Sequence, residues 1–211
     1  MDLQQRLAEH GCGNVVEFLT IGTDDPLGDI DFAMAADSLD VPVSHIRALY
    51  EVESTGSPFL NGRPVILFEP HRFSRATEHQ YDASHPNISY RNWDPKRYPS
   101  SQVGRLAQLT EAASLDYEAA FASTSYGGFQ VLGENYHRCD CVDAMAFAWQ
   151  ESQTVADQLN HFCLFVRSDA VLHRALQRAD WVTVAKHYNG TAYYKNRYDV
   201  RLAQAQRKAA A

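Results

Sequence analysis

A chain of 211 residues, 45% hydrophobic and 21% charged, carries enough apolar material for one substantial domain and does not have the composition of a disordered polymer. Nineteen basic against twenty-six acidic residues leave a formal net charge of -7, which argues against the basic face that duplex nucleic acid requires. Mean hydropathy is -0.39, and no apolar run approaches the roughly 20 residues of a membrane helix. The start MDLQQRLAEHGCG lacks the basic and apolar regions of a secretory signal, so synthesis in the cytoplasm is expected. Cys12, Cys139, Cys141 and Cys163 are too few for a disulfide framework and read as free thiols.

Helical signals dominate. Asp2 stands in N-cap position before Leu3 and Leu7, and Gly11 and Gly13 interrupt the segment 2–20. TIGTDDPLGD (20–29) reads as a linker. A helix is expected over 30–40 and a second from Ser44, just after Pro42. On the second, Ile46, Leu49, Tyr50 and Glu53 fall at i, i+3, i+4 and i+7, so Glu53 shares the apolar stripe; Gly56 and Pro58 end the helix. Burial and the negative end of the helix dipole both favour the protonated carboxyl there. That is the form a general acid must hold near neutral pH.

FLNGRPVILFE (59–69) carries Asn61-Gly62 between apolar runs, a strong hairpin signal. On the returning strand Val65, Leu67 and Glu69 share one face, Ile66 and Phe68 the other, and Pro70 stops the strand. One helical turn is expected over 71–77. Residues 78–101, with Pro86, Pro95 and Pro99 among Tyr81, Tyr90, Trp93 and Tyr98, read as a long functional or mobile loop. Further helices are expected over about 102–122, 142–151, 154–167, 169–178, 181–188 and 192–208. Val155, Leu159, Phe162, Cys163 and Val166 form one clean apolar face.

Three segments carry the chemistry: Glu53-Ser-Thr-Gly56, the Gly-containing turn STSYGGFQVLG (123–133) with a buried-looking Gln130, and HYNGTAY (187–193). Each residue also has a structural reading. Glu69 could pair with Arg63 or Arg72, Gln130 could satisfy buried backbone groups, Asn189-Gly190 could cap a helix, and Tyr193 could be a core aromatic. His137 with Cys139-Asp-Cys141 lacks the paired Cys-x-x-Cys spacing of structural zinc. A cysteine nucleophile with one of the nine histidines, as in a wall amidase or peptidase, has no local signature, and His-Glu-x-x-His is absent.

The order Glu-Ser, Gly-x-x-Gln-Val, Tyr-Asn-Gly and Tyr resembles the lysozyme-like superfamily, which includes goose-type lysozymes and lytic transglycosylases. More closely, residues 30–206 resemble the phage and prophage N-acetylmuramidase endolysin family, through YEVESTGSPF, NGRPVILFEPHRF, STSYGGFQVLGENY and HYNGTAYYKNRYDVRLAQA. The resemblance implies a mostly α, α+β lysozyme-like fold: a helical domain with a small β-hairpin beside the active-site cleft. It implies an extension over 1–29, too short for a complete wall-binding module, and a catalytic domain over 30–211. The activity implied is hydrolysis of the β-1,4 bond between N-acetylmuramic acid and N-acetylglucosamine, without metal or other cofactor. Glu53 matches the catalytic acid and Glu69 the other functional carboxylate, stabilising positive charge or activating water. Tyr126 and Gln130 match the groove-lining turn and Asn189 and Tyr193 the late helix junction, with His71 beside Glu69. The partners expected are peptidoglycan glycan strands and, for export of a monomer, a holin or a secretion apparatus. A lytic transglycosylase and a non-catalytic wall-binding module are the alternatives.

Overall fold

Most helices here begin on a side chain that accepts the first free N–H groups. Asp2, Asn14, Ser101, Asp116, Asp143, Thr154 and Asp169 each do so at an N-cap. A computed structural model describes residues 2–20, 22–53, 57–188, 190 and 193–210. In chain order the first helices are α1 (Leu3–Glu9), α2 (Val15–Phe18), α3 (Asp29–Leu39) and α4 (Val43–Glu53). Strand β1 (Ile66–Phe68) leads into α5 (Pro70–Ala76), then α6 (Gln102–Leu115) and α7 (Tyr117–Ala122). Strands β2 (Thr124–Tyr126) and β3 (Val131–Leu132) are followed by a 3-10 stretch, Gly133–Cys139. The rest is α8 (Ala144–Glu151), α9 (Val155–Ser168), α10 (Ala170–Gln177), α11 (Trp181–Tyr188) and α12 (Tyr198–Ala209).

The expected helix over 102–122 is two helices. Asp116 adopts an extended φ of -154° and spends its carboxylate on the Ala119 N–H, so a residue that ends α6 also starts α7. Likewise α12 begins at Tyr198 rather than 192, after a 3-10 turn over Tyr193–Asn196.

The 59–69 hairpin is also smaller than expected. Asn61 and Gly62 take the left-handed φ values, 54° and 72°, that a type I′ turn demands. Leu60 and Arg63 exchange backbone hydrogen bonds of 2.8 and 3.3 Å across it, and beyond them the pairing runs no further than a bridge from Phe59 to Pro64 and a bond from the Val65 N–H to the Pro58 carbonyl. β1 instead pairs antiparallel with β2, Ile66 opposite Tyr126 and Phe68 opposite Thr124, and β2 pairs with β3. The hairpin that serves the site is therefore β2–β3. The alternation along 65–69 holds: Ile66 and Phe68 are fully buried, while Val65, Leu67 and Glu69 are half-exposed.

One core joins these elements, with Phe162, Cys163 and Val166 of α9 buried within it. The first two helices belong to it: Leu7, Val15, Phe18 and Leu19 are buried, and Arg6 pairs with Asp143 at 2.5 Å. The loop 78–101 is anchored at Asp82, which accepts from Ser74 at 2.7 Å and Ser89 at 2.6 Å. Among the described residues no helix is long and apolar enough to cross a membrane.

Candidate active site

Glu53 is the last residue of α4. Its stripe partners Ile46 and Leu49 are buried, Tyr50 is half-buried, and so is Glu53 itself. The helical spacing thus carries the carboxyl to the rim of the core. Two side chains of α12 hold that helix end. Arg201 donates from Nη2 to the Val52 carbonyl at 3.2 Å, occupying a group that a helix terminus leaves unpaired. Lys208 pairs with Glu51 at 3.1 Å.

A cleft of about 500 Å³ opens beside Glu53, and Phe129, Gln130, Arg138, Tyr188 and Tyr198 are among its other walls. That is within the usual range for an organic-ligand site. Behind it stands an aromatic stack: Phe129 lies parallel to Phe162 with ring centres 4.6 Å apart, and Tyr188 meets Phe162 edge-on at 5.4 Å. Tyr188 donates its hydroxyl to the Phe129 carbonyl at 2.5 Å. Burial, and next the nearby charge of Glu53, push that phenol well above its ordinary range. It enters the cleft as a neutral donor already spoken for.

Glu69 lies where β1 meets α5, its side chain 17% exposed. Its Oε2 is 3.2 Å from Arg72 Nε and 3.5 Å from His71 Nε2. Arg72 lines the cleft and turns its Nη1 to Glu134 at 2.7 Å, so one guanidinium holds two carboxylates. Arg63 goes instead to the carbonyls of Val16 and Asn61. The His71 ring is pulled below its usual range by burial; the charge of Glu69 opposes this, and those of Arg72 and Arg75 add to it. Its Nδ1 lies 3.4 Å from the Tyr98 hydroxyl.

Gln130 lines the cleft but is exposed, not buried as its sequence context suggested. It holds a left-handed φ of 52° and donates from Nε2 to the carbonyls of Gly127 at 2.8 Å and Val65 at 3.2 Å. Its amide therefore ties the β2–β3 turn to the start of β1. Tyr126 offers no groove surface. It is fully buried, edge-on to Phe147, with its hydroxyl bonded to the Phe121 carbonyl at 3.2 Å. The middle of a three-stranded sheet buried on both faces has no wet side for it to occupy. Tyr193 is half-buried against the core and edge-on to Tyr194. Asn189 and the Ser54–Gly56 part of the first motif lie outside the described residues.

The family model for N-acetylmuramidase matches residues 42–210. The chain belongs to the N-acetylmuramidase family. Its structure is also similar to the crystal structure of the Burkholderia AP3 phage endolysin, with TM-score 0.82 and 35% identity over 90% of this chain and 73% of that one. No curated protein matches the chain. The mostly helical, lysozyme-like fold and the assignment to peptidoglycan-degrading glycoside hydrolases of the lysozyme type follow.

For an N-acetylmuramidase, the charged wall of the cleft is what sequence reasoning missed: Arg72, Glu134 and Arg138, with Tyr188 and Tyr198. Glu134 and Arg138 are four residues apart, a spacing that in sequence reads as a solvated pair. Folded, they part: Glu134 takes Arg72, and Arg138 takes Ser168 Oγ at 2.6 Å. The rival thiol chemistry does find a constellation. Cys141 Sγ is 3.7 Å from His161 Nε2, and His161 Nδ1 is 2.9 Å from Glu151. Yet Cys141 is 8%, His161 2% and Glu151 1% exposed, and Nε2 also meets Gln150 Oε1 at 2.9 Å. No substrate reaches it. This cluster packs beneath the β2–β3 turn as a satisfied buried network.

Proposed function

We propose that this N-acetylmuramidase works as an endolysin in which Glu53 protonates the glycosidic oxygen between N-acetylmuramic acid and N-acetylglucosamine. The observation that carries the reading is a half-buried carboxyl ending α4 at the wall of a 500 Å³ cleft backed by aromatic rings. The carboxyl stands at the carbonyl end of its helix, beside the buried Ile46 and Leu49, the setting in which a carboxylic acid holds its proton. Proton delivery leaves an oxocarbenium-like carbon that needs negative charge or an activated water on its other side. Glu69, oriented by Arg72 and His71, is the group for that step. Gln130, with Nε2 bound to backbone, keeps its amide oxygen for an acetamido N–H. The motif resemblance extends glycan binding to Asn189 and Tyr193. The segment 1–29 extends the catalytic domain over 30–211, the protein acts as a monomer, and a holin or secretion apparatus brings it to the wall.

Digestion of purified sacculi followed by mass analysis tests the reaction. Hydrolysis yields reducing muramic acid ends; products lighter by one water identify a lytic transglycosylase. Sacculus binding without released fragments identifies a wall-binding module.

A further inference from the structure

Two arginines line the cleft, and they differ in one respect. The charge of Arg72 is neutralised by Glu69 and Glu134. The Arg138 guanidinium bonds only to neutral acceptors: Ser168 Oγ at 2.6 Å, Asn135 Oδ1 at 3.2 Å and the Phe165 carbonyl at 3.3 Å. Its central carbon lies 3.8 Å over the Phe165 ring. Among the described residues no carboxylate oxygen comes within 4.0 Å of it. In a chain of net charge -7, acids are not scarce. The side chain is half-buried and held by α9 and by its own 3-10 stretch, so little rotamer entropy remains to be lost on binding.

A guanidinium fixed in this way carries five donors, of which the three nearby acceptors leave part unused. It is built for an anion. The sugar hydroxyls and acetamido groups of a glycan strand are neutral, and the lactyl acid of muramic acid is masked as an amide wherever a stem peptide is attached. The carboxylates that such a strand carries beside the scissile bond are those of the stem peptide. Resting on the muramidase reading above, we infer that Arg138 binds a stem-peptide carboxylate and makes the enzyme selective for peptide-substituted strands.

The test compares glycan strands carrying native stem peptides with the same strands after carbodiimide amidation of their carboxylates, and with strands stripped of peptide by an amidase. For the wild type we expect kcat/KM about tenfold higher on native than on amidated strands, carried by KM, as for loss of one charge-assisted contact worth roughly 1.4 kcal/mol. In Arg138→Gln the ratio falls to within about twofold, and Arg138→Lys, charged but without the fork, lies between. A wild-type ratio near one, or a ratio still near ten in Arg138→Gln, overturns the inference; the latter is what mere loosening of residues 133–139 would give. Stripped strands expose the lactyl acid, so cleavage of these as efficient as of native strands moves the contact to that group and overturns the stem assignment. Absence of new reducing ends from native strands refutes the muramidase reading itself.

Discussion

His161 Nδ1 lies 2.9 Å from a carboxylate oxygen of Glu151, and on this sealed pair rests the turn that presents Gln130 to the cleft. Gln158 links them, donating to the Glu151 carbonyl at 2.9 Å and accepting the Gly128 N–H at 2.8 Å. Burial alone would lower the His161 pKa. The bonds to Cys141 and Glu151, with the charge of Glu151, override it and raise the ring to about 9. A folded-state value above the ordinary 6.5 means that this group's stabilisation is complete below pH 6.5 and is lost as pH rises through 9. The difference in Tm between wild type and His161→Gln should therefore be largest near pH 6 and shrink toward pH 10. A difference that grows over this window contradicts the assignment.

The same network leaves no room above it. Gly127 has a φ of 71°, and a Cβ there would stand 2.4 Å from the Gln158 side chain and 2.8 Å from Glu151 Oε2. Gly127→Ala must both strain the backbone and displace a bonded amide. Overpacking of this kind costs about 1–3 kcal/mol, and a chain of this size loses roughly 2–4 °C of Tm per kcal/mol. Calorimetry should register a fall of several degrees. Because Gln130 follows by three residues, turnover of sacculi should fall as well. An unchanged Tm would mean that the turn does not sit on Glu151.

The helix that carries Glu53 is legible in sequence because periodicity is local: Ile46 and Leu49 announce the buried stripe four to seven residues before it. The rest of the site is not, because it is made by distant pairing. Arg72 meets Glu134 across 62 positions, and β1 finds its partner at 124–126, not in the hairpin that Asn61-Gly62 signals. Pairing with β2 buries Ile66 and Phe68 at the centre of the fold, a gain that the short 59–64 turn cannot offer. Tyr126 shows the converse. Its motif resemblance pointed to a groove, but a three-residue strand buried throughout has no polar–apolar alternation to reveal which way a tyrosine faces. Asp116 was visible as a residue and not as a break, since an N-cap inside a helical run looks like any exposed acid.

Glu69 and Arg72 make a prediction that separates chemistry from scaffolding. If Glu69 supplies negative charge or activates water, Glu69→Gln keeps the shape and the Arg72 contact yet lowers kcat by more than about tenfold, with KM little changed. Steady-state kinetics on soluble glycan strands measure both. A loss of less than tenfold, or one confined to KM, assigns Glu69 to holding Arg72 at the cleft wall.

Glu53→Gln is the sharpest case. The amide has the size of the acid and keeps a polar tip at the end of α4, so Val52 and the Arg201 contact should be undisturbed and Tm should shift little. What it cannot do is deliver a proton. General acid catalysis contributes on the order of 10²–10⁴-fold, so turbidity loss of purified sacculi should slow by at least about 100-fold. The defect should lie in kcat, because the aromatic wall and the charged side chains that bind the strand remain. A variant folded like the wild type and nearly as active would leave the proton to another group. The cleft would then have to be read from Glu69 outward.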